Sequence, residues 1–218
     1  MTLLPHIQVD THPQVDSCII WLHGLGADGH DFEPIVDELH LPDTLKTRFI
    51  FPHAPHQAVT LNNGYEMPAW YDLASLNIGE TEDSNGMSNS YQHIQQFIQS
   101  QLEQGIPAQR IMLVGFSQGG AMTLYSAMKN DHPLAGYIAL SCYLPLAQQH
   151  TDATSVPPIF MAHGTEDDVV KLEYAKLSVE RLQAINSTLT FNEYPMAHSL
   201  CDAEINDISS FIQQKLNV

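Results

Sequence analysis

An apolar run that ends in a Gly-x-Ser-x-Gly turn constrains this chain more than any other stretch. Residues 110–114 have the character of a buried strand, residues 115–119 form the turn, and a segment of small, helix-favouring residues follows. A strand, a sharp turn and a helix in this order predict a nucleophile elbow, in which Ser117 stands exposed above the sheet. Such a turn forces the serine into a sparsely populated backbone region, and the two glycines leave room where strand and helix crowd together. The alternative is an ordinary strand-to-helix turn.

Apolar runs of strand character alternate with amphipathic stretches along the chain. Besides the elbow strand, such runs predict strands at 17–22, 47–51, 134–140, 158–164 and 189–194. Helical periodicity predicts helices at 31–41, 88–104, 118–130, 171–185 and around 205–216. The alternation favours one α/β domain over residues 1–218, with a mostly parallel central sheet, right-handed crossovers and helices on both faces. In such sheets, functional sites form beyond the carboxyl ends of the strands.

Composition limits the partners of the chain. Its 25 acidic residues outnumber 8 basic ones, and the formal net charge of −17 would repel phosphate backbones and anionic headgroups. We therefore expect no nucleic-acid partner. No apolar run approaches the roughly 20 residues that a membrane span needs, so we expect a cytoplasmic protein without stable membrane insertion. The cysteines, Cys18, Cys142 and Cys201, are irregularly spaced, which fits free thiols in a reducing compartment.

Residues suited to nucleophilic catalysis follow the predicted strands in the order serine, acid, histidine. A serine hydroxyl needs a base to take its proton, and an imidazole base needs a partner that holds its tautomer and orientation. His198 is the best candidate base because it follows the last predicted strand on a loop. Either Asp167 or Asp168 could be the acid, since only one of two adjacent side chains can point at the imidazole. No pair of histidines has convincing metal spacing, so we expect neither metal nor cofactor.

A glycine-rich loop at 23–30 follows the first predicted buried strand. Backbone N–H groups in such a loop can converge on a developing negative charge, which predicts half of an oxyanion hole; a plain glycine-rich loop is the alternative. His23 could suggest a second base, but we interpret it as a strand-end histidine bonded to nearby backbone. No elbow surrounds Cys142, so we do not interpret it as a nucleophile.

Residues 57–86 show little periodicity and predict one long loop. Loops of this length inside a compact domain are usually functional. Its apolar residues are candidates to line an acyl pocket, and they are Met67, Trp70, Tyr71, Leu73, Leu76, Ile78 and Met87. The alternative for Trp70 and Tyr71 is that they pin the loop to the core.

Six motifs together resemble the small carboxylesterase and acyl-protein thioesterase (lysophospholipase-like) family over nearly the whole chain. They are Gly-Phe-Ser-Gln-Gly-Gly-Ala at 115–121, Leu-His-Gly-Leu-Gly-Ala-Asp-Gly at 22–29, Pro-His-Ala-Pro at 52–55, Ala-Trp-Tyr-Asp at 69–72, His-Gly at 163–164 with the paired aspartates, and Ala-His at 197–198. The bacterial carboxylesterase branch, with Trp-Tyr-Asp and Asp-Asp-Val-Val motifs, is the most similar.

The resemblance implies an α/β-hydrolase fold without a large lid domain. It implies Ser117 as nucleophile, His198 as base, and an oxyanion hole from the backbone N–H groups of Leu25 and Gln118. It also implies Asp167 as the acid, because the family's aspartate stands four residues after the histidine of His-Gly. Where the thioesterase branch has proline after that aspartate, this chain has Asp168, which tilts the expected substrate away from lipidated proteins.

The expected function is that of a serine carboxylesterase, which hydrolyses short to medium-chain acyl esters through an acyl-enzyme. Its partner would be a small-molecule acyl ester. A homodimer that pairs the apolar rims around the site is a further possibility. An acyl-protein thioesterase or a lysophospholipase would use the same chemistry with a different pocket length. A non-catalytic binding protein on a hydrolase fold is the alternative from another class, and the complete set of triad and elbow residues disfavours it.

Overall fold

A seven-stranded sheet with helices on both faces organises the protein. The computed structural model describes residues 3–75, 82–129, 131–149, 157–185 and 188–216. The strand order is β1-β3-β2-β6-β7-β8-β9, and every neighbouring pair is parallel except β1 with β3. The strands of this sheet are β1 (His6–Asp10), β2 (Ser17–Leu22), β3 (Thr47–Pro52), β6 (Ile111–Phe116), β7 (Gly136–Leu140), β8 (Ile159–Gly164) and β9 (Leu189–Tyr194). The six predicted strands and the mostly parallel α/β sheet are confirmed.

The central strands are buried on both faces, as their continuous apolar sequences require. Along β2, Cys18 and Ile20 face one core layer, whereas Ile19 and Trp21 face the other. The helices are α1 (Ile35–Glu38), α2 (Ser84–Glu103), α3 (Gln118–Lys129), α4 (Leu172–Ala184) and α5 (Asp202–Lys215). Apolar residues of α2, α3 and α4 complete the first layer, and those of α1 and α5 complete the second. None of the helices in the described ranges is long and apolar enough to cross a membrane.

The first strand, β1, was not expected from the sequence. It pairs antiparallel with β3 at the edge of the sheet, with Ile7 opposite Phe51 and Val9 opposite Phe49. Edge position explains the weak signal, because its residues are only partly buried or exposed and the sequence shows no continuous apolar run.

The segment at 57–86, predicted to be one long loop, contains a β-hairpin. Strands β4 (His56–Val59) and β5 (Tyr65–Pro68) pair antiparallel as a separate two-stranded sheet. Asn63 and Gly64 in its turn both have left-handed backbone angles, with φ of 56° and 75°. Residues 76–81, which include the candidate pocket residues Leu76 and Ile78, lie outside the described residues.

Two helix boundaries also differ from the sequence predictions. The helix predicted at 31–41 is a 3-10 turn at Gly29–Asp31 followed by the short α1. Helix α2 begins at Ser84 rather than at residue 88, because the Asp83 side chain accepts a hydrogen bond from the Gly86 N–H and caps the helix.

Candidate active site

The predicted elbow is present between β6 and α3. Ser117 has a φ of 55°, and its N–H donates to the Leu140 carbonyl oxygen at 2.9 Å. A non-glycine residue in this region carries a strain of about 1 to 3 kcal/mol. A Cβ at Gly119 would lie 2.6 Å from the His23 carbonyl oxygen, so only glycine lets α3 approach β2 this closely. The backbone of Ser117 therefore has the conformation of neither a strand nor a right-handed helix.

His198 connects the serine to a carboxylate. It lies on the loop between β9 and α5, and its side chain is 15% exposed. Its Nε2 lies 2.9 Å from Ser117 Oγ, and its Nδ1 lies 2.7 Å from Asp167 Oδ2. Since a carboxylate only accepts hydrogen bonds, Nδ1 carries the proton and Nε2 presents a lone pair to the serine hydroxyl. The Phe116 ring packs on the imidazole, with 4.8 Å between the ring centroids.

The geometry separates the two candidate acids. The Asp167 side chain is fully buried, and its Oδ1 accepts the N–H groups of Val169 and Val170 at 2.9 and 2.8 Å. Asp168 is exposed, and it is Asp167 that bonds the imidazole. The structure thus brings together Ser117, His198 and Asp167, the three residues named from the resemblance.

A second histidine supports the loop that carries Asp167. His163, fully buried at the end of β8, has its Nε2 2.7 Å from the Val170 carbonyl oxygen and 3.4 Å from Asp167 Oδ2. Burial lowers the pKa of this imidazole, so it is held neutral with its proton on Nε2, the atom that faces both oxygens. His163 is the histidine of the His-Gly motif, and its strand β8 lies two strands away from β6, which leads to Ser117. The sequence alone assigned no role to this histidine.

The two predicted oxyanion donors lie beside the serine. Gly24 packs against Ser117, and a Cβ at Gly24 would come within 3.4 Å of Ser117 Cβ, so the glycine-rich loop borders the nucleophile. Within the described residues, the Leu25 N–H donates to no backbone acceptor. Gln118 is the first residue of α3, where an N–H group has no acceptor inside the helix. Both N–H groups are therefore available for a ligand.

A cavity of about 390 Å³ opens beside the triad. Ser117, His198, Leu25 and Gln118 border it, and its other lining residues are Gly24, Ala27, Asp31, Leu61, Tyr71, Leu73, Ser75, Phe116, Tyr143, Val169 and Val170. A larger depression of about 710 Å³, between residues 144–149 and α4, includes none of the three triad side chains.

The pocket prediction needs correction at two of its three principal residues. Leu73 lines the cavity, but Met67 and Trp70 do not. Trp70 is 1% exposed, and its indole N–H donates to the His23 carbonyl oxygen at 2.9 Å, so it pins the segment to the core. Tyr71 lines the cavity, and Met87 is buried in the core.

Several lining residues were missed although the sequence places them close to predicted ones. Phe116 directly precedes Ser117 in the elbow, and Val169 and Val170 directly follow the paired aspartates. Tyr143 follows β7, whose carboxyl end lies beside that of β6 in the sheet. Phe116 and Tyr143 could have been identified from their places at or just after a strand end, and Val169 and Val170 from their place in the loop that carries the acid.

The interpretation of His23 is confirmed, and the structure also describes the surroundings of Cys142. His23 Nδ1 lies 2.7 Å from the Gly24 carbonyl oxygen and its Nε2 accepts the Ala54 N–H, so the ring is bonded to nearby backbone. Cys142 is 1% exposed, and burial raises the pKa of its thiol, which disfavours the nucleophilic thiolate.

An elbow serine and a following acid and histidine at the carboxyl edge of a mostly parallel sheet define an α/β-hydrolase. The chain belongs to the phospholipase/carboxylesterase family, whose model matches residues 6–216. It is accordingly a serine-type carboxylic ester hydrolase.

Named relatives cover nearly the whole chain. Acyl-protein thioesterase 1 of Neurospora crassa is 36% identical over 225 residues, which cover 97% of this chain and 92% of that protein. Acyl-protein thioesterase 1 of Cryptococcus neoformans is 34% identical and covers 99% of both chains. Among solved structures, Zea mays acyl-protein thioesterase 2 matches with a TM-score of 0.86 and 27% identity, over 98% of this chain and 99% of that chain. Arabidopsis thaliana SOBER1 matches with a TM-score of 0.84 and 31% identity, over 92% and 99%.

Proposed function

We propose that the protein hydrolyses short to medium-chain acyl esters, with Ser117 as nucleophile, His198 as general base and Asp167 as orienting acid. The observation that carries the proposal is the continuous chain of hydrogen bonds, 2.9 Å from Ser117 Oγ to His198 Nε2 and 2.7 Å from His198 Nδ1 to Asp167 Oδ2. Ser117 and His198, at one end of this series of hydrogen bonds, border the apolar cavity, where an acyl group can be held against the serine.

The first half of the reaction forms an acyl-enzyme. As Ser117 Oγ attacks the carbonyl carbon, its proton passes to His198 Nε2 and the carbonyl π electrons move onto the oxygen. The Leu25 and Gln118 N–H groups donate to this oxyanion, and such donors are worth about 10²- to 10³-fold each in rate. Collapse of the tetrahedral intermediate breaks the ester bond, and the imidazolium gives its proton to the departing alcohol.

The second half regenerates the enzyme. Water replaces the alcohol, His198 takes a proton from it, and the resulting hydroxide equivalent attacks the acyl carbon. A second tetrahedral intermediate expels Ser117, whose oxygen recovers the proton from Nε2. Asp167 stays ionised throughout and holds the Nδ1 proton, which keeps Nε2 in the accepting form.

The size of the cavity supports the acyl length. Its volume of about 390 Å³ is at the small end of the usual range for ligand pockets, roughly 300 to 1,000 Å³. Leu61, Leu73 and Val170 give it an apolar wall, and Tyr71 and Tyr143, whose hydroxyls are hydrogen-bonded at 3.2 Å, also line it.

Thioester hydrolysis is the second candidate, and the names of the fungal relatives favour it. The same triad attacks either carbonyl, and the departing thiolate needs less help from a proton donor than an alkoxide does. The lysophospholipase alternative differs by requiring a longer acyl group and a charged headgroup.

A matched series of substrates tests the proposal. Oxygen esters and thioesters of the same acyl groups, from acetyl to palmitoyl, would be assayed with wild type and Ser117→Ala. We expect kcat/KM to peak at short to medium chains and to vanish in the variant. A peak at palmitoyl thioester would favour the thioesterase, and activity retained in a folded Ser117→Ala protein would overturn the assignment of the nucleophile.

A cytoplasmic location, a single domain and a homodimer belong to the same proposal. The free cysteines are consistent with a reducing compartment. Leu61, Tyr65 and Val169 are exposed, and two of them border the cavity, which gives a dimer an apolar surface to cover. Light scattering coupled to gel filtration would distinguish a mass of one chain from that of two.

A further inference from the structure

Residues 68–71, which we call the brace, begin at the last residue of strand β5 and contact both halves of the proposed oxyanion hole. On the side of the glycine-rich loop, the Gly26 N–H donates to the Pro68 carbonyl oxygen at 2.9 Å. The Trp70 indole N–H donates to the His23 carbonyl oxygen, also at 2.9 Å. These two bonds hold the backbone on either side of Leu25, whose own N–H is left for the oxyanion.

The brace also forms hydrogen bonds with the elbow, through the side chain of Gln118. Its carboxamide oxygen accepts the Trp70 N–H at 2.8 Å, and its carboxamide nitrogen donates to the Tyr71 carbonyl oxygen at 2.8 Å. Gln118 is buried, so both of these hydrogen bonds are made away from water, where they are stronger. The backbone N–H of this residue is the second oxyanion donor.

The brace is itself fixed to the rest of the protein. The Trp70 carbonyl oxygen accepts the hydroxyl of Ser90 on α2, and the Ala69 N–H donates to the Pro55 carbonyl oxygen at 3.0 Å. The His23 ring packs against the indole with 5.2 Å between centroids, and it is bonded at both nitrogens to backbone. Two loops that are distant in sequence are therefore held to one anchored segment.

We infer that the brace sets the spacing of the two oxyanion donors, with Trp70 as the main positioning residue, so that loss of its indole N–H slows catalysis without weakening substrate binding. The inference rests on the proposed function. Trp70 touches neither the cavity nor the reacting atoms, and it acts through His23 on one side and Gln118 on the other.

The geometry of the hole matters in the transition state more than in the ground state. An oxyanion donor must meet the oxygen of the tetrahedral intermediate rather than the planar carbonyl, so a shift of the donor lowers kcat and leaves KM nearly unchanged. Complete loss of one donor costs about 10²- to 10³-fold. Displacement is a smaller change, and we expect about a 10- to 100-fold fall in kcat.

Trp70→Phe removes the indole N–H while keeping an aromatic ring in the core. Trp21→Phe is the matched control, because Trp21 is fully buried on β2 and its indole nitrogen has no hydrogen-bond partner in the part of the chain that is described. Gln118→Leu is a second test variant, which removes both carboxamide bonds and retains the backbone N–H. Thermal unfolding followed by circular dichroism would establish that each variant is folded.

Each variant would be assayed with p-nitrophenyl butyrate and with an alkyl trifluoromethyl ketone, which adds to the serine as a tetrahedral oxyanion. For Trp70→Phe and Gln118→Leu we expect kcat to fall about 10- to 100-fold, KM to stay within about twofold, and the inhibition constant of the ketone to rise by the same factor as kcat falls. Trp21→Phe should change none of these by more than about twofold.

Three outcomes would overturn the inference: an unchanged kcat in folded Trp70→Phe, a rise in KM that accounts for the loss, or an equal loss in Trp21→Phe. If Trp70→Phe does not fold, Gln118→Leu decides by the same criteria. A wild-type protein without hydrolytic activity overturns the proposed function, which is a different result from an active wild type with indifferent variants.

Discussion

Replacing Asp167 by asparagine isolates the role of one charge. Asparagine has nearly the same shape as aspartate, and its carbonyl oxygen can still accept the Val169 and Val170 N–H groups that now bond Oδ1 at 2.9 and 2.8 Å. Its amide nitrogen then takes the place of Oδ2, 2.7 Å from His198 Nδ1. Two donors cannot face each other, so the imidazole proton moves to Nε2.

The shifted proton disables the base. With a proton on Nε2, His198 can only donate to Ser117 Oγ, and it can no longer accept the serine proton. The same substitution in a serine protease lowers kcat by about 10⁴-fold, which corresponds to about 5 kcal/mol of barrier. We expect a loss of about 10³- to 10⁴-fold here, with little change in KM. Asp168→Asn should stay within about twofold, because that side chain is exposed.

Steady-state hydrolysis of p-nitrophenyl butyrate measures the rates of both variants over four orders of magnitude. Each variant must first be purified free of wild-type enzyme. Thermal unfolding would verify that Asp167→Asn keeps its fold. Equal effects of the two substitutions, or a loss of less than tenfold in Asp167→Asn, would refute the assignment of the orienting acid.

Three further predictions concern packing, pH and thiol reactivity. Gly119→Ala would place a Cβ 2.6 Å from the His23 carbonyl oxygen, so we expect a loss of about 1 to 3 kcal/mol in unfolding free energy by urea titration; an unchanged midpoint would show that α3 can move away. Burial raises the pKa of Glu204 from 4.5 to about 8, so the folded state binds more protons between these values and its stability falls as pH rises through this window. Glu204→Gln should therefore gain stability relative to wild type from pH 5 to pH 8.5, at up to about 1.4 kcal/mol per pH unit, and parallel pH curves for the two proteins would contradict this. A thiol reagent should modify partly exposed Cys201 in the folded protein, and modify fully buried Cys142 only after unfolding, as peptide mass analysis would reveal.

The central sheet and the positions of the site residues could be predicted because the same physical constraint marks both. Strands β2, β6 and β8 are buried on both faces, so their sequences are continuous apolar runs, and the elbow and the acid follow at the points where two of these runs end. The glycines of the elbow are required by close backbone approach, which makes them visible in the sequence. Choosing Asp167 over Asp168 needed either the resemblance to known esterases or the geometry.

The rest depends on contacts that local sequence does not encode. Strand β1 is defined by its pairing with β3, whose residues stand 38 to 46 positions further along the chain (Asp10 with Arg48, His6 with Pro52), rather than by its own burial. The β4–β5 hairpin did have a local signal, since Asn63 and Gly64 favour the left-handed conformation of a tight turn. Trp70 was a pocket candidate because it is large and apolar. Its indole N–H instead donates to the buried carbonyl oxygen of His23, just after β2, and this contact is not visible in the local sequence.

Labelling with a fluorophosphonate probe tests the central claim most directly. The probe phosphonylates a serine only when a working base and oxyanion hole activate it, and digestion with mass analysis locates the modified peptide. We expect stoichiometric labelling of the peptide that contains Ser117 in wild type and no labelling in Ser117→Ala. A folded wild-type protein that stays unlabelled, or a label on another residue, would contradict the account and favour a binding protein on a hydrolase fold.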